Sequence, residues 1–221
     1  MLARLAPIRN WIFDLDNTLY PASARLFDQI DERMGVYVAG LLGVDRAEAH
    51  RIQKGYFHAH GTTLAGLMAD HGVDPHEFLD FVHDIEMDVL EHNAPLAAAI
   101  ARLPGRKIVF TNGDAPYAAR VLARLGLADV FDGMHDVHAM GLVPKPHQSA
   151  YDGLLATFAI DATASLFAED MARNLKPAKA LGMTTLWVDN GSEQGPEDVR
   201  DHIDFITNDI THWLHDILED A

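Results

Sequence analysis

Five short β-rich runs in this chain are largely apolar on successive residues: Trp11 to Leu15, Lys107 to Thr111, Ser165 to Ala168, Thr184 to Val188 and Ile203 to Thr207. A strand with one wet face alternates apolar and polar side chains. Unbroken apolar runs suit parallel strands covered on both faces. Helical stretches lie between the later runs. Asp114-Ala115-Pro116 opens one that Gly126 closes, and Lys176 to Leu181, ended by Gly182, is another. Strands alternating with helices predict an α/β fold with a doubly wound parallel sheet, Rossmann-like in plan.

One segment breaks the alternation. From Tyr20 to about Asn93 no convincing strand occurs. Leu26, Ile30, Met34, Tyr37 and Leu41 recur at helical spacing and Gly43 closes that helix; Asp45 with Glu48 resembles a capping box; Asp74-Pro75 with Glu77 starts a helix carrying Phe78, Phe81 and Val82. The expected organisation is a core of residues 1–20 and 94–221 with an all-helical cap over 21–93, hinged at Tyr20-Pro21 and Asn93-Ala94-Pro95. A helical insert placed straight after the first strand would sit over the carboxyl ends of the strands, where ligands bind in such sheets.

Composition narrows the partners. A formal net charge of −16 argues against a nucleic-acid polymer or an anionic membrane surface, since both need basic patches. No apolar run reaches the roughly 18 residues of a membrane span, and the apolar N-terminal stretch carries charge and runs into a core strand, unlike a secretory signal. The absence of cysteine excludes disulfides and thiolate chemistry and fits a cytoplasmic protein. The thirteen histidines are scattered, six of them between His58 and His92, and read as helix residues rather than as a metal site.

Four clusters end predicted strands. In Asp14-Leu15-Asp16-Asn17-Thr18 two acids on alternate residues can converge where the strand stops. One can serve as a phosphoryl-accepting nucleophile and the other as a proton donor and acceptor; an acidic loop or helix cap is the structural alternative. Thr111-Asn112-Gly113 offers a hydroxyl, an amide and a glycine backbone to phosphate oxygens, or simply a tight turn. Lys145 stands between Pro144 and Pro146, either as a site cation or as an exposed lysine. Glu169-Asp170, with Asn174 four residues on, follows an apolar strand; adjacent acids there need a cation or donors, unless Asp170 caps a helix. Together Asp14, Asp16, Glu169 and Asp170 would crowd four carboxylates near one lysine and repel a phosphate. A hard divalent cation such as Mg2+ would resolve that conflict.

These clusters, in this order, resemble the four motifs of the haloacid dehalogenase superfamily over nearly the whole chain. The resemblance implies Asp14 as nucleophile and Asp16 as general acid and base. It implies magnesium held by the Asp14 carboxylate, the Asp16 backbone carbonyl and Asp170, with Glu169 binding directly or through water. Thr111 and the Asn112 backbone would hold phosphate oxygens and Lys145 would screen charge. Trp11-Ile-Phe-Asp14-Leu-Asp16-Asn17-Thr-Leu-Tyr20-Pro21, Gly61-Thr62-Thr63-Leu-Ala-Gly66-Leu67 and Phe110-Thr111-Asn112-Gly113-Asp114 resemble the pyrimidine 5′-nucleotidase branch, although the fourth motif there often begins with Asp rather than Glu169. The expected function is a cytoplasmic Mg2+-dependent phosphomonoesterase for a small phosphate monoester, a pyrimidine nucleoside 5′-monophosphate, with Thr62 and Thr63 facing the substrate. Rivals are a sugar-phosphate phosphatase or phosphomutase, a metal-free dehalogenase, and a catalytically silent binding module.

Overall fold

The computed structural model describes residues 5–192 and 200–219. Residues 1–4, 193–199 and 220–221, which the expected core range includes, lie outside the described residues. Six parallel strands form one sheet: β1 (Asn10–Phe13), β2 (Arg106–Phe110), β3 (Gly133–His135), β4 (Ser165–Glu169), β5 (Thr184–Val188) and β6 (Phe205–Thr207). Their order across the sheet is β3-β2-β1-β4-β5-β6. The doubly wound parallel sheet expected from the apolar runs is present. Every residue of β1 and β4 is buried, as strands covered on both faces must be.

The chain builds outward from β1 to β3, then returns to the other side of β1 to lay down β4. The order therefore reverses between β1 and β4, and the crevice at their carboxyl ends is the place where such sheets bind ligands. Register sets what meets there. Phe13 pairs with Ala168 and with Val109, so Asp14, Glu169 and Phe110 arrive level with one another.

Four α-helices occupy the chain between β1 and Asn93: α1 (Leu26–Leu42), α2 (Arg46–His60), α3 (Thr63–His71) and α4 (Pro75–His83). Their ends follow local chemistry. Asp45 accepts from Glu48 N, Thr62 from Ala65 N and Asp74 from His76 N and Glu77 N, each satisfying helix-start donors that would otherwise lack partners. Gly43 closes α1 with φ of 64°. α1 packs against α2 and α4, and α2 against α3. One detail differs from the periodicity. Val38, not Leu41, completes the buried stripe of α1, and Leu41 is exposed. Leu26, Ile30 and Val38 lie on one i, i+4 row, which advances about 40° around the axis at each step, so by the last turn the buried face has turned towards Val38 and away from Leu41.

The remaining helices flank the sheet: α5 (Ala94–Arg102), α6 (Ala115–Leu125), α7 (Gln148–Phe158), α8 (Ala172–Ala180) and α9 (Ile210–Glu219). α6 starts at Asp114 and ends at Gly126 as its caps predict. α8 begins four residues before Lys176. β3 is absent from the five runs expected: it is three residues long and opens on glycine, too short to show a period.

Candidate active site

Lys145 is the hub of the crevice. It is 1% exposed, and its ammonium donates to Asp14 Oδ1 at 2.7 Å, Glu169 Oε2 at 2.8 Å and the Phe110 carbonyl at 2.8 Å. Three acceptors match its three N–H bonds. Burial opposes its charge, yet the Asp14 and Glu169 carboxylates hold its pKa well above the ordinary lysine value. The exposed-lysine reading is thereby excluded. The loop that carries it is tied down by Asn112, whose Oδ1 accepts from Lys145 N at 2.9 Å and whose Nδ2 donates to Lys145 O at 3.2 Å.

Asp14 ends β1 and is nearly buried. Its Oδ2 accepts from Thr18 Oγ1 at 3.2 Å, so both carboxylate oxygens are oriented by donors. Asp16 is gripped differently. The phenols of Tyr20 and Tyr117 each donate to its Oδ1 at 2.6 Å. Burial first, and the Asp14 charge second, raise its pKa, while the two phenols pull the other way. Tyr117 also stacks on His83 of α4, with ring centroids 4.2 Å apart, and His83 Nδ1 lies 3.2 Å from Asp114.

Glu169 and Asp170 close the far side. Glu169 Oε1 accepts from Asn174 Nδ2 at 2.7 Å, and Asp170 Oδ2 from Ser192 Oγ at 2.6 Å. Asp170 does not cap α8, whose N-cap is Met171 without a side-chain bond. Burial and neighbouring negative charge raise the pKa of both carboxyls.

Thr111 is buried at the end of β2, where its Oγ1 accepts from Gly113 N at 3.0 Å. It is not among the residues lining the cavity, whereas Asn112 and Gly113 are. That cavity measures about 340 Å³ and lies between the crevice and the helical insert. Asp14, Asp16, Lys145, Glu169 and Asp170 line it from below, and Phe57, Gly61, Thr62 and Thr63 from the insert. Thr62 caps α3 through its hydroxyl, so its structural role is real, and Thr63 is buried.

A family model for haloacid dehalogenase-like hydrolases matches residues 8–182. The chain belongs to the haloacid dehalogenase-like hydrolases. Among curated proteins it is 25% identical over 190 residues to Phosphate metabolism protein 8 of Saccharomyces cerevisiae, covering 78% of this chain and 59% of that protein. The chain thus spans about three fifths of that relative's length. Solved structures share the fold at low identity. The putative hydrolase YfnB of Bacillus subtilis, described as bound to magnesium, has a TM-score of 0.62 at 14% identity over 95% of this chain and 98% of its own. A phosphatase of this family from Thermococcus onnurineus has 0.63 at 17% over 96% and 98%. The L-2-haloacid dehalogenase of Xanthobacter autotrophicus has 0.56 at 18% over 97% and 100%.

The donor set of this family member fits a hard divalent cation. Asp14, Glu169 and Asp170 each offer a carboxylate oxygen within 4.8 Å of the others, and oxygen donors suit Mg2+. The raised proton affinities of Glu169 and Asp170 share their causes: burial away from water first, and the negative charge of the neighbouring carboxylates second.

Sequence reasoning missed Tyr20, Tyr117, Ser192 and His83 as members of the site. Tyr20 is adjacent to the first motif and four residues from Asp16, a local signal that could have been used. Tyr117 is 101 residues from Asp16, and no local pattern links them.

Proposed function

We propose that this hydrolase is a Mg2+-dependent phosphomonoesterase acting through an aspartyl-phosphate on Asp14, with a pyrimidine nucleoside 5′-monophosphate as its substrate. The observation that carries the reading is the pairing of Asp14 with Asp16 on one cavity. Asp14 is aligned by Lys145 and Thr18, and Asp16 carries a carboxyl whose affinity for a proton is raised. Carbon–halogen cleavage needs no leaving-group proton; an alkoxide leaving from phosphorus does.

In this reading an Asp14 oxygen attacks phosphorus in line, the bond to the ester oxygen breaks, and Asp16 donates its proton to that oxygen. Asp16 then takes a proton from water as the water attacks the aspartyl-phosphate, releasing phosphate and restoring Asp14. Lys145 counters charge on the nucleophile and the phosphoryl oxygens. Asp14, Asp170, Glu169 and the Asp16 carbonyl would hold magnesium, which supplies charge neutralisation for equatorial oxygens. The helical insert acts as a cap that excludes water and presents Thr62 and Thr63 to the leaving group. The family match, the small cavity and the net charge of −16 support a small substrate rather than a polymer.

The deciding experiment assays nitrophenyl phosphate, nucleoside monophosphates, sugar phosphates and a 2-chloroalkanoate with and without Mg2+. Magnesium-dependent turnover of the phosphates, fastest for uridine and cytidine monophosphates, is expected, with Asp14→Asn at least about a thousandfold slower. Halide release without phosphate turnover would establish the dehalogenase instead. No turnover of any ester would leave a silent binding module, and sugar phosphates outpacing nucleotides would change the substrate while keeping the chemistry.

A further inference from the structure

The two phenols that hold Asp16 stand at the two places where the chain crosses between the sheet domain and the helical insert. Tyr20 precedes Pro21, where the chain leaves β1 for the insert, and its hydroxyl donates to Asp16 Oδ1 at 2.6 Å. Tyr117, on α6, donates to the same oxygen at 2.6 Å. Against the Tyr117 ring lies His83, the last residue of α4, where the helices of the insert end. The two rings are 4.2 Å apart and 12° from parallel. Tyr20, Tyr117 and His83 are all buried.

α6 grips that end of α4 at two more points. Arg120, one turn along from Tyr117, donates to the His83 carbonyl and to the Ile85 carbonyl, each at 2.8 Å. The carbonyls at a helix end lack partners within the helix, so these bonds meet a need of α4 as well as fixing it in place. Asp114 caps α6 through Tyr117 N at 2.9 Å, and its Oδ1 lies 3.2 Å from His83 Nδ1. His83 is therefore held at its carbonyl and at its ring edge, with its ring face on Tyr117. The χ2 torsion of a tyrosine is broad when nothing packs on the ring; a near-parallel ring at this distance narrows it. With Asp16 Oδ1 taken by two donors, Oδ2 is the oxygen left to carry a proton to an ester oxygen.

We infer that His83 is a positioning residue for the proton transfer: seated on α6, it holds Tyr117, and through Tyr117 it aims Asp16 Oδ2 at the leaving oxygen. The inference rests on the phosphomonoesterase reading and adds to it a dependence of the acid on how the last helix of the insert is seated. As the bond from phosphorus to the ester oxygen breaks, its electron pair stays on that oxygen, which takes the Oδ2 proton. An alkoxide requires that proton and a nitrophenolate barely does. A histidine that merely packed the insert onto the sheet domain would affect both esters alike.

The test measures kcat/KM, which reports the phosphorylation half of the reaction, for uridine 5′-monophosphate, ribose 5-phosphate and p-nitrophenyl phosphate. It uses the full chain with Mg2+, as wild type, His83→Ala, His83→Gln, His83→Phe, Tyr117→Phe and the double variant His83→Ala/Tyr117→Phe. His83→Ala and His83→Gln both remove the ring, so either one that folds serves. Each should lower kcat/KM on the faster alkyl ester about threefold to tenfold, the scale of one hydrogen bond, and leave nitrophenyl phosphate within about twofold. His83→Phe, which keeps a ring on Tyr117, should hold the wild-type ratio of alkyl to nitrophenyl turnover. Adding His83→Ala to Tyr117→Phe should cost little more than Tyr117→Phe alone, since both act through one contact. Equal losses on alkyl and nitrophenyl esters in the ring-less variants would overturn the inference, as would full additivity or a His83→Phe loss as large as theirs. Equal losses in Tyr117→Phe would overturn it even if every His83 variant fails to fold. Each of these leaves the phosphomonoesterase reading standing, whereas a wild type that turns over no phosphate ester removes both.

Discussion

Asn112 brackets the backbone of Lys145, accepting from its N–H at 2.9 Å and donating to its carbonyl at 3.2 Å. The two residues are 33 positions apart, and these bonds fix where the Lys145 side chain leaves the loop. Its ammonium must then reach Asp14, Glu169 and the Phe110 carbonyl together. Asn112→Ala should therefore act on the rate rather than on affinity for the leaving group. We expect kcat to fall about tenfold to a hundredfold on every phosphate ester, equivalent to one or two lost hydrogen bonds at ~1–3 kcal/mol. Lys145→Arg should be worse, because a planar fork cannot satisfy three convergent acceptors around one nitrogen. Steady-state kinetics on nitrophenyl phosphate checks both; an Asn112→Ala enzyme with unchanged kcat and a raised KM contradicts the positioning role.

The two phenols on Asp16 Oδ1 predict a leaving-group effect. In Asp16→Asn, formation of the phosphoenzyme should survive far better with nitrophenyl phosphate than with an alkyl phosphate, since nitrophenolate departs without a proton. Its hydrolysis should still be slow, because the base is gone. Tyr117→Phe and Tyr20→Phe should each show a weaker version, with losses within about tenfold, one hydrogen bond being removed from two. Rapid-quench measurement of phosphoenzyme from both esters is the check; equal losses for the two leaving groups would count against the acid role.

The carboxylate cluster predicts a stability readout independent of turnover. A cation that binds only the folded chain raises Tm by mass action. Millimolar Mg2+ should raise Tm in the wild type and fail to do so in Asp170→Ala, which should also be close to inactive. Glu169→Asp should keep part of both responses. Differential scanning fluorimetry with chelator and with Mg2+ measures this, and full activity after exhaustive chelation would refute the assignment.

His135 predicts an acid limit on stability. It is fully buried on β3 against Phe110 and Phe158, and neither ring nitrogen has a partner among the described residues. Burial lowers its pKa below the ordinary histidine value, with Asp136 opposing weakly. The unfolded chain therefore takes up a proton, near pH 6.5, that the folded chain refuses. The stability that depends on a neutral His135 is complete above that pH and is lost as pH falls through it. His135→Leu should remove part of the fall in Tm between pH 7.5 and 5.5, roughly 2–4 °C per kcal/mol in a chain this size. An identical pH profile in wild type and variant would exclude His135 as the source.

Much of this protein is legible one segment at a time. Asp45, Asp74, Asp114 and Gly126 announce helix ends because capping is local: a side chain meets a backbone group within three residues. The buried strands announce themselves by unbroken apolar runs, and the order of Asp14, Thr111, Lys145 and Glu169-Asp170 announces the family. β3 stayed hidden because three residues carry no period, and Leu41 was misassigned because a helical stripe drifts over four turns. What only the tertiary structure decided is which of these groups touch. The return of the chain from β3 to β4 brings Asp14 level with Glu169, and the fold of the insert over that crevice brings His83 to Tyr117 and Gln53 to the cavity wall. Those contacts join residues tens to more than a hundred positions apart. They follow from strand register and helix packing, which depend on the whole chain at once, and so leave no periodic trace in any one stretch of it.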